Sequence, residues 1–185
     1  MADLYIAPIS EEIRCRLYPP RRQQQLEETK DAAHRLQRYS VWKLLEYALH
    51  HSFGLSPEQL EFSLDHRGRW SCKECFFSLS HSRDAVAVAV SRSPIGIDIE
   101  ALDRPLHPGL PQKILTPAQL AVYATLAESE KHSYLLQRWC AGESLFKWLE
   151  AAGQQPAPAT HTGTVTVAGK HYCYAVTTQE EITWN

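Results

Sequence analysis

Residues 95–100, Ile-Gly-Ile-Asp-Ile-Glu, carry isoleucine at every second position, and that period of two constrains the fold more than any other segment. In an extended strand successive side chains point to opposite faces, so Ile97 and Ile99 enter a core while Asp98 and Glu100 project together from the other side. Residues 139–147, Trp-Cys-Ala-Gly-Glu-Ser-Leu-Phe-Lys, suit a helix. There Glu143 and Lys147, four apart, set a carboxylate and an ammonium side by side. Each pair alone is a common solvated feature. Together, two carboxylates from a strand and one from a helix make a hard, all-oxygen set of the kind Mg²⁺ accepts, with positions left for water and a phosphate.

Around these segments the chain reads as mixed α and β. Residues 3–9 form a strand pattern, and Pro19-Pro20-Arg21-Arg22 breaks the chain before a polar helical stretch. Between residues 31 and 52, Leu36, Tyr39, Val41, Leu45, Ala48 and Leu49 fall mostly on one helical face. Residues 60–64, 76–80 and 86–91 alternate or run apolar over strand lengths, which predicts an antiparallel sheet. Thr116-Pro117-Ala118-Gln119 is a capping box that starts a helix running to about residue 127. A second helix spans residues 131–152 and stops at Gly153. Residues 154–161 read as a linker, followed by strand patterns at 162–167, 171–178 and 182–184. The order, strand, helices, strands, then helices, strands, is that of an α+β chain with no residue-level repeat.

Composition narrows the function classes. The 185 residues suit one medium domain or two small packed halves, and 44% hydrophobic residues suffice for a core. With 19 basic and 21 acidic side chains, no global field draws the chain to nucleic acid or to an anionic membrane. No apolar run nears the roughly 20 residues of a membrane span, and the first ten residues lack the pattern of a signal peptide. A cytoplasmic location is the expectation. Five cysteines, at 15, 72, 75, 140 and 173, do not read as a disulfide framework. Cys72-Lys73-Glu74-Cys75 could be half a zinc site, a redox pair, or two thiols in a turn before a strand.

The motifs resemble those of the 4'-phosphopantetheinyl transferases, specifically the larger monomeric surfactin-type group. That family carries a G-(I/V)-D-x-E segment followed about forty residues later by W-x-x-K-E-(A/S)-x-x-K. Gly96, Asp98 and Glu100 match the first, and Trp139, Glu143, Ser144 and Lys147 match the second. Upstream, Gly68-Arg69-Trp70 stands where the family has G-K-P. Residues 77–82, Phe-Ser-Leu-Ser-His-Ser, look like its F-N-x-S-H-S, and residues 31–35, Asp-Ala-Ala-His-Arg, resemble the opening of its first long helix. The resemblance runs from about residue 21 to residue 147.

It implies a fold of two similar halves, each a long helix packed on a small antiparallel sheet. Residues 1–93 and 94–185 would be the halves, with the active site in the cleft between them and a monomer sufficing. It also implies transfer of the phosphopantetheine arm of coenzyme A to a serine of an apo acyl, peptidyl or aryl carrier protein. Asp98, Glu100 and Glu143 would hold Mg²⁺ at the pyrophosphate. Glu143 would take the serine proton, and Lys147 would stabilise the leaving phosphate. Ser80 and His81 would contact coenzyme A phosphates, Arg35 its 3'-phosphate, and Arg21 and Arg22 a phosphate or the acidic carrier. Three positions depart from the pattern: Gly142 replaces the lysine of the K-E pair, Gln119 a frequent glutamate, and Ser78 an asparagine. The departures leave room for a divergent homologue that binds coenzyme A or a carrier without efficient transfer.

Overall fold

The computed structural model describes residues 1–10 and 17–185, so Cys15 lies outside the described residues. Two long helices, each laid on an antiparallel sheet, account for most of the chain. The first half has strands β1 (Ala2–Pro8), β4 (Phe76–Ser82) and β5 (Ala85–Ser91), with helix α2 (Ala32–Phe53) packed on one face. A short helix α1 (Pro20–Glu27) precedes α2, and a hairpin of β2 (Phe62–Leu64) and β3 (Trp70–Cys72) follows it. The second half has β6 (Ile95–Ala101), β7 (Thr160–Val167) and β8 (Lys170–Thr178), covered by α5 (Glu128–Ala152). Helices α3 (Leu110–Ile114) and α4 (Pro117–Thr125) link β6 to α5, and β9 (Ile182–Trp184) ends the chain. This is the α+β arrangement expected from the sequence.

The alternation of β5 shows how the halves come together. Val86, Val88 and Val90 pack under α2, whereas Ala85, Ala87 and Ala89 face Ile95, Ile97 and Ile99 of β6. Branched side chains fill the wider helix-to-sheet space, and methyl groups let β6 approach on the other side. Strand β6 is an edge in the order β6-β8-β7, yet its outer amides are not left free. Ser78, Ser80 and Ser82 of β4 accept hydrogen bonds from the backbone amides of Ile97, Ile99 and Ala101 at 3.0, 3.2 and 3.0 Å. A serine at every second position thus does with side chains what a neighbouring strand does with carbonyls, and it pairs the amides of Ile97, Ile99 and Ala101.

Helix α5 buries Leu136, Cys140, Ser144 and Trp148, one every four residues, against the second sheet. Ser144 Oγ donates to Gly96 O at 3.0 Å and lies 2.8 Å from Thr177 Oγ1. Helix ends follow the sequence signals. Asp31 caps α2 by accepting from the His34 amide at 2.6 Å, and Gly54, at φ 65°, ends it. At α4 the capping box closes in both directions, with Gln119 Oε1 accepting from the Thr116 amide at 2.9 Å and Thr116 Oγ1 from the Gln119 amide at 3.3 Å. Gln119 is therefore explained by capping alone.

Two details differ from the sequence reading. Strand β7 begins at Thr160, inside the stretch read as linker, because Thr160 and His161 complete the ladder to Thr177 and Val176. Strand β9 leaves the second half and pairs in parallel with β1 of the first sheet, so the chain's end crosses the expected boundary at residue 93. Among the described residues no helix is long and apolar enough to cross a membrane.

Candidate active site

A cleft of about 430 Å³ opens between the halves, walled by α1, α2 and β4 on one side and by α5 on the other. Arg22, Arg38, Arg67, Arg69 and Lys147 line it along with His81, against the carboxylates of Glu143 and Glu150. That excess of fixed cations suits a polyanion such as a phosphate ester. Among the described residues neither Arg22 nor Arg38 forms an ion pair. Arg22 lies with its guanidinium 5.0 Å from the centre of the Trp42 ring, and its Nε is buried without a partner. Burial, with Arg38 adding to it, lowers its pKa to about 10, so the side chain is charged at pH 7.

Below the cleft, β4, β6 and α5 converge on Asp98. Its side chain is 8% exposed. Oδ1 accepts from Ser80 Oγ at 2.7 Å and from Lys147 Nζ at 2.9 Å, and Lys147 also donates to Ile97 O at 2.8 Å and Leu79 O at 3.3 Å. One ammonium therefore joins the edge strands β4 and β6 to the helix. Asp98 Oδ2 is buried and accepts nothing. An orphaned carboxylate oxygen costs roughly 1–3 kcal/mol or more, and a hard cation is the partner that suits it. Glu100, on the same face of β6, accepts from Ser82 Oγ at 2.7 Å and pairs with Arg104. Burial raises its pKa, partly offset by Ser82 and Arg104.

The structure brings together some of the sequence candidates and separates others. Asp98 and Glu100 share a strand face, Glu143 and Lys147 share the cleft wall of α5, and His81 and Arg22 face them from the first half. Among the described residues no three His, Cys, Asp or Glu side chains stand close enough to hold a metal ion, so Glu143 does not join the β6 carboxylates in this conformation. Ser80 is buried beneath Asp98 and does not line the cleft. Its hydroxyl is occupied by Asp98 and the Ile99 amide, which makes it a support for the carboxylate. Arg35 lines a separate depression with Gln23, Leu26, Glu27 and Tyr39, and Arg21 is exposed outside the cleft.

Arg38, absent from the sequence candidates, takes the place in the cleft that Arg35 does not. Helical geometry accounts for this: Arg38 is four residues from His34, whose ring lies 5.7 Å from that of His81, so the two share the face turned to β4. Arg35 is rotated about 100° from His34. Arg69, given no role from sequence, bridges the halves by donating to Glu150 Oε2 at 2.7 Å and Lys147 O at 3.0 Å. Only its place in the turn after Gly68 hinted at this.

Gly142 lies on the exposed side of α5, and a β-carbon there would meet nothing within 4 Å. Gly142→Ala should therefore raise stability by about 1 kcal/mol, and Gly142→Lys should fold equally well; urea titration of both variants checks this. His81 carries a pH prediction. Burial, then the neighbouring His34 and Arg38, lowers its pKa from 6.5 to about 4. The unfolded chain then binds a proton that the folded chain excludes. This contribution is fully present above about pH 6.5 and is lost as pH falls towards 4. The urea midpoint of the wild type should drop relative to His81→Gln across that window, and a constant difference between the two would refute the assignment.

Comparison with known proteins points the same way. Residues 94–181 match the family model described as ACPS, 4'-phosphopantetheinyl transferase superfamily. A stretch of 107 residues is 25% identical to 4'-phosphopantetheinyl transferase psf-1 of Bacillus pumilus, covering 56% of this chain and 46% of that protein. The chain thus spans about half the length of the curated relative it matches. What it shares with the 4'-phosphopantetheinyl transferase superfamily is the half built on β6, α5 and β8, which holds Asp98, Glu100, Glu143 and Lys147.

Proposed function

We propose that this protein transfers the 4'-phosphopantetheine arm of coenzyme A to a serine hydroxyl of an apo acyl, peptidyl or aryl carrier protein, releasing adenosine 3',5'-bisphosphate. The observation that carries the reading is the orphaned Asp98 Oδ2, beside a cation-lined cleft and within the stretch matched by the family model. Asp98 and Glu100 would hold Mg²⁺ through their carboxylate oxygens, and Glu143, which stands apart from them on α5, would join them on metal binding. When bound, the ion neutralises charge on the pyrophosphate.

The chain's own groups do the rest. Arg22, Arg38 and His81 bind and orient phosphate oxygens from the first half. Glu143 accepts the proton of the carrier serine as its oxygen attacks phosphorus. Lys147, one turn along α5, offsets charge on the departing phosphate. Ser80 and Ser82 hold Asp98 and Glu100 in position. A single chain contributes both walls, which supports action as a monomer.

Incubation with coenzyme A, Mg²⁺ and an apo carrier should raise the carrier's mass by one phosphopantetheine, and Glu143→Gln should remove that gain. A second reading, a divergent homologue that binds coenzyme A or a carrier without efficient transfer, is favoured by the direct Lys147–Asp98 pair and by Gly142. Coenzyme A binding without a mass gain on any of several carriers would favour it. Restored transfer in Gly142→Lys would locate the defect.

A further inference from the structure

Outside this cleft, the Cys72-Lys73-Glu74-Cys75 segment is built as a reactive pair. Cys72 ends β3 half-exposed, and Cys75 precedes β4 at 4% exposure. Both are free thiols and both line a second cleft of about 370 Å³ beside the first. The Cys72 thiol donates to Glu74 Oε2 at 3.0 Å, which fixes the direction of the outer sulfur. The bend between the cysteines is pinned: the Lys73 amide donates to Glu61 O at 3.2 Å, the Glu61 amide to Glu74 Oε2 at 3.2 Å, and Arg92 to Glu74 O at 2.9 Å.

The inner thiol supports the outer one. The pKa of Cys75 is pushed up by the neighbouring Cys72 and by burial, whereas Cys75 lowers that of the Cys72 thiol against burial and Glu74, which raise it. One half-exposed thiol and one buried thiol, three residues apart and lining the same cleft, form an arrangement that thiol–disulfide exchange can use.

We propose that Cys72 and Cys75 are a thiol–disulfide exchange site for a low-molecular-weight disulfide entering the second cleft, a reaction beyond phosphopantetheine transfer and independent of it. Cys72 gives up its proton through water and attacks one sulfur of the small disulfide. The disulfide bond breaks, a mixed disulfide forms on Cys72, and the first small thiol leaves with that proton. Cys75 then attacks Cys72 Sγ, its proton passing to the second small thiol as that group departs. Two electrons pass from the cysteine pair to the small disulfide, leaving a Cys72–Cys75 disulfide and two small thiols. The cleft is the size of a small molecule, and of the two sulfurs lining it Cys72 is the more exposed.

Oxidised glutathione added to the reduced full-length chain tests this. The intact mass should fall by two hydrogens, and after tryptic cleavage at Arg69, Lys73 and Arg83 the peptides holding Cys72 and Cys75 should stay joined. The link should form about tenfold faster than in an isolated peptide of residues 70–75, because the pinned bend keeps the two cysteines in one orientation. Cys75→Ala should accumulate a glutathione adduct on Cys72, and Cys72→Ser, a change at a half-exposed site, should leave Cys75 unmodified. A rate equal to the peptide's, modification of Cys75 in Cys72→Ser, or oxidation confined to Cys140 and Cys173, whose sulfurs lie 3.4 Å apart, would each overturn the proposal.

Discussion

Gly96→Ala should cost about 3 kcal/mol or more of folding stability, the largest loss expected from adding a single methyl group to this chain. A β-carbon at Gly96 would stand 2.0 Å from Ser144 O and 2.8 Å from Trp148 N. Both are backbone atoms of α5, so no rotamer change relieves the contact. The helix has to move off β6, breaking the bond from Ser144 Oγ to Gly96 O and loosening Trp148, which is fully buried. Urea unfolding of Gly96→Ala measures the effect, with Gly142→Ala as the control that adds the same methyl to open space on the same helix. A loss below about 0.5 kcal/mol, the range of ordinary surface changes, would mean that β6 and α5 are not held this closely. The glycine of the G-(I/V)-D-x-E segment is thus needed for packing, two residues before the carboxylate that needs the helix nearby.

Lys147→Met should lower stability by about 3 kcal/mol. The ammonium holds Asp98 Oδ1, Ile97 O and Leu79 O, and methionine would leave a carboxylate that is 8% exposed without its countercharge. Asp98→Asn in the same background removes that charge while keeping an oxygen for Ser80. The double variant should recover roughly 1–2 kcal/mol as coupling energy. Thermal or urea unfolding of the four proteins closes the cycle. Additive losses would show that the pair contributes nothing beyond its separate contacts. Under the proposed function, Asp98→Asn should also reduce transfer by roughly 10²–10³-fold, read as carrier mass gained per unit time, and near-normal transfer would refute a role for Asp98 in the chemistry.

Much of this was legible in the sequence for physical reasons. Alternation in residues 95–100 fixes which side chains share a face, because the strand period allows no other outcome. Thr116 and Gln119 announce the start of α4, since a capping box satisfies amides within four residues. Strand β3 escaped notice because three residues carry too little pattern. The start of β7 was misread because Pro156 and Pro158 signal a break while pairing with β8 decides where the strand begins. Of the serines at 78, 80 and 82, Ser80 alone takes a role from sequence, as a coenzyme A contact by resemblance. Their bonds to β6 depend on a strand nineteen residues away, and no local pattern encodes such a partner.

The sequence by itself determined the α+β order, the pairing of Asp98 with Glu100 and of Glu143 with Lys147, and the spacing that marks a family. Those properties depend on helix and strand periods, which are local. Only the tertiary structure decided that Arg38 rather than Arg35 faces the cleft, that Ser80 supports Asp98 from below, that Lys147 joins both halves, and that Cys72 is open while Cys75 is closed. Each depends on which face of an element another element covers. That is set by the packing of Ala85, Ala87 and Ala89 against β6 and of Gly96 against α5, contacts that exist only once the halves have come together.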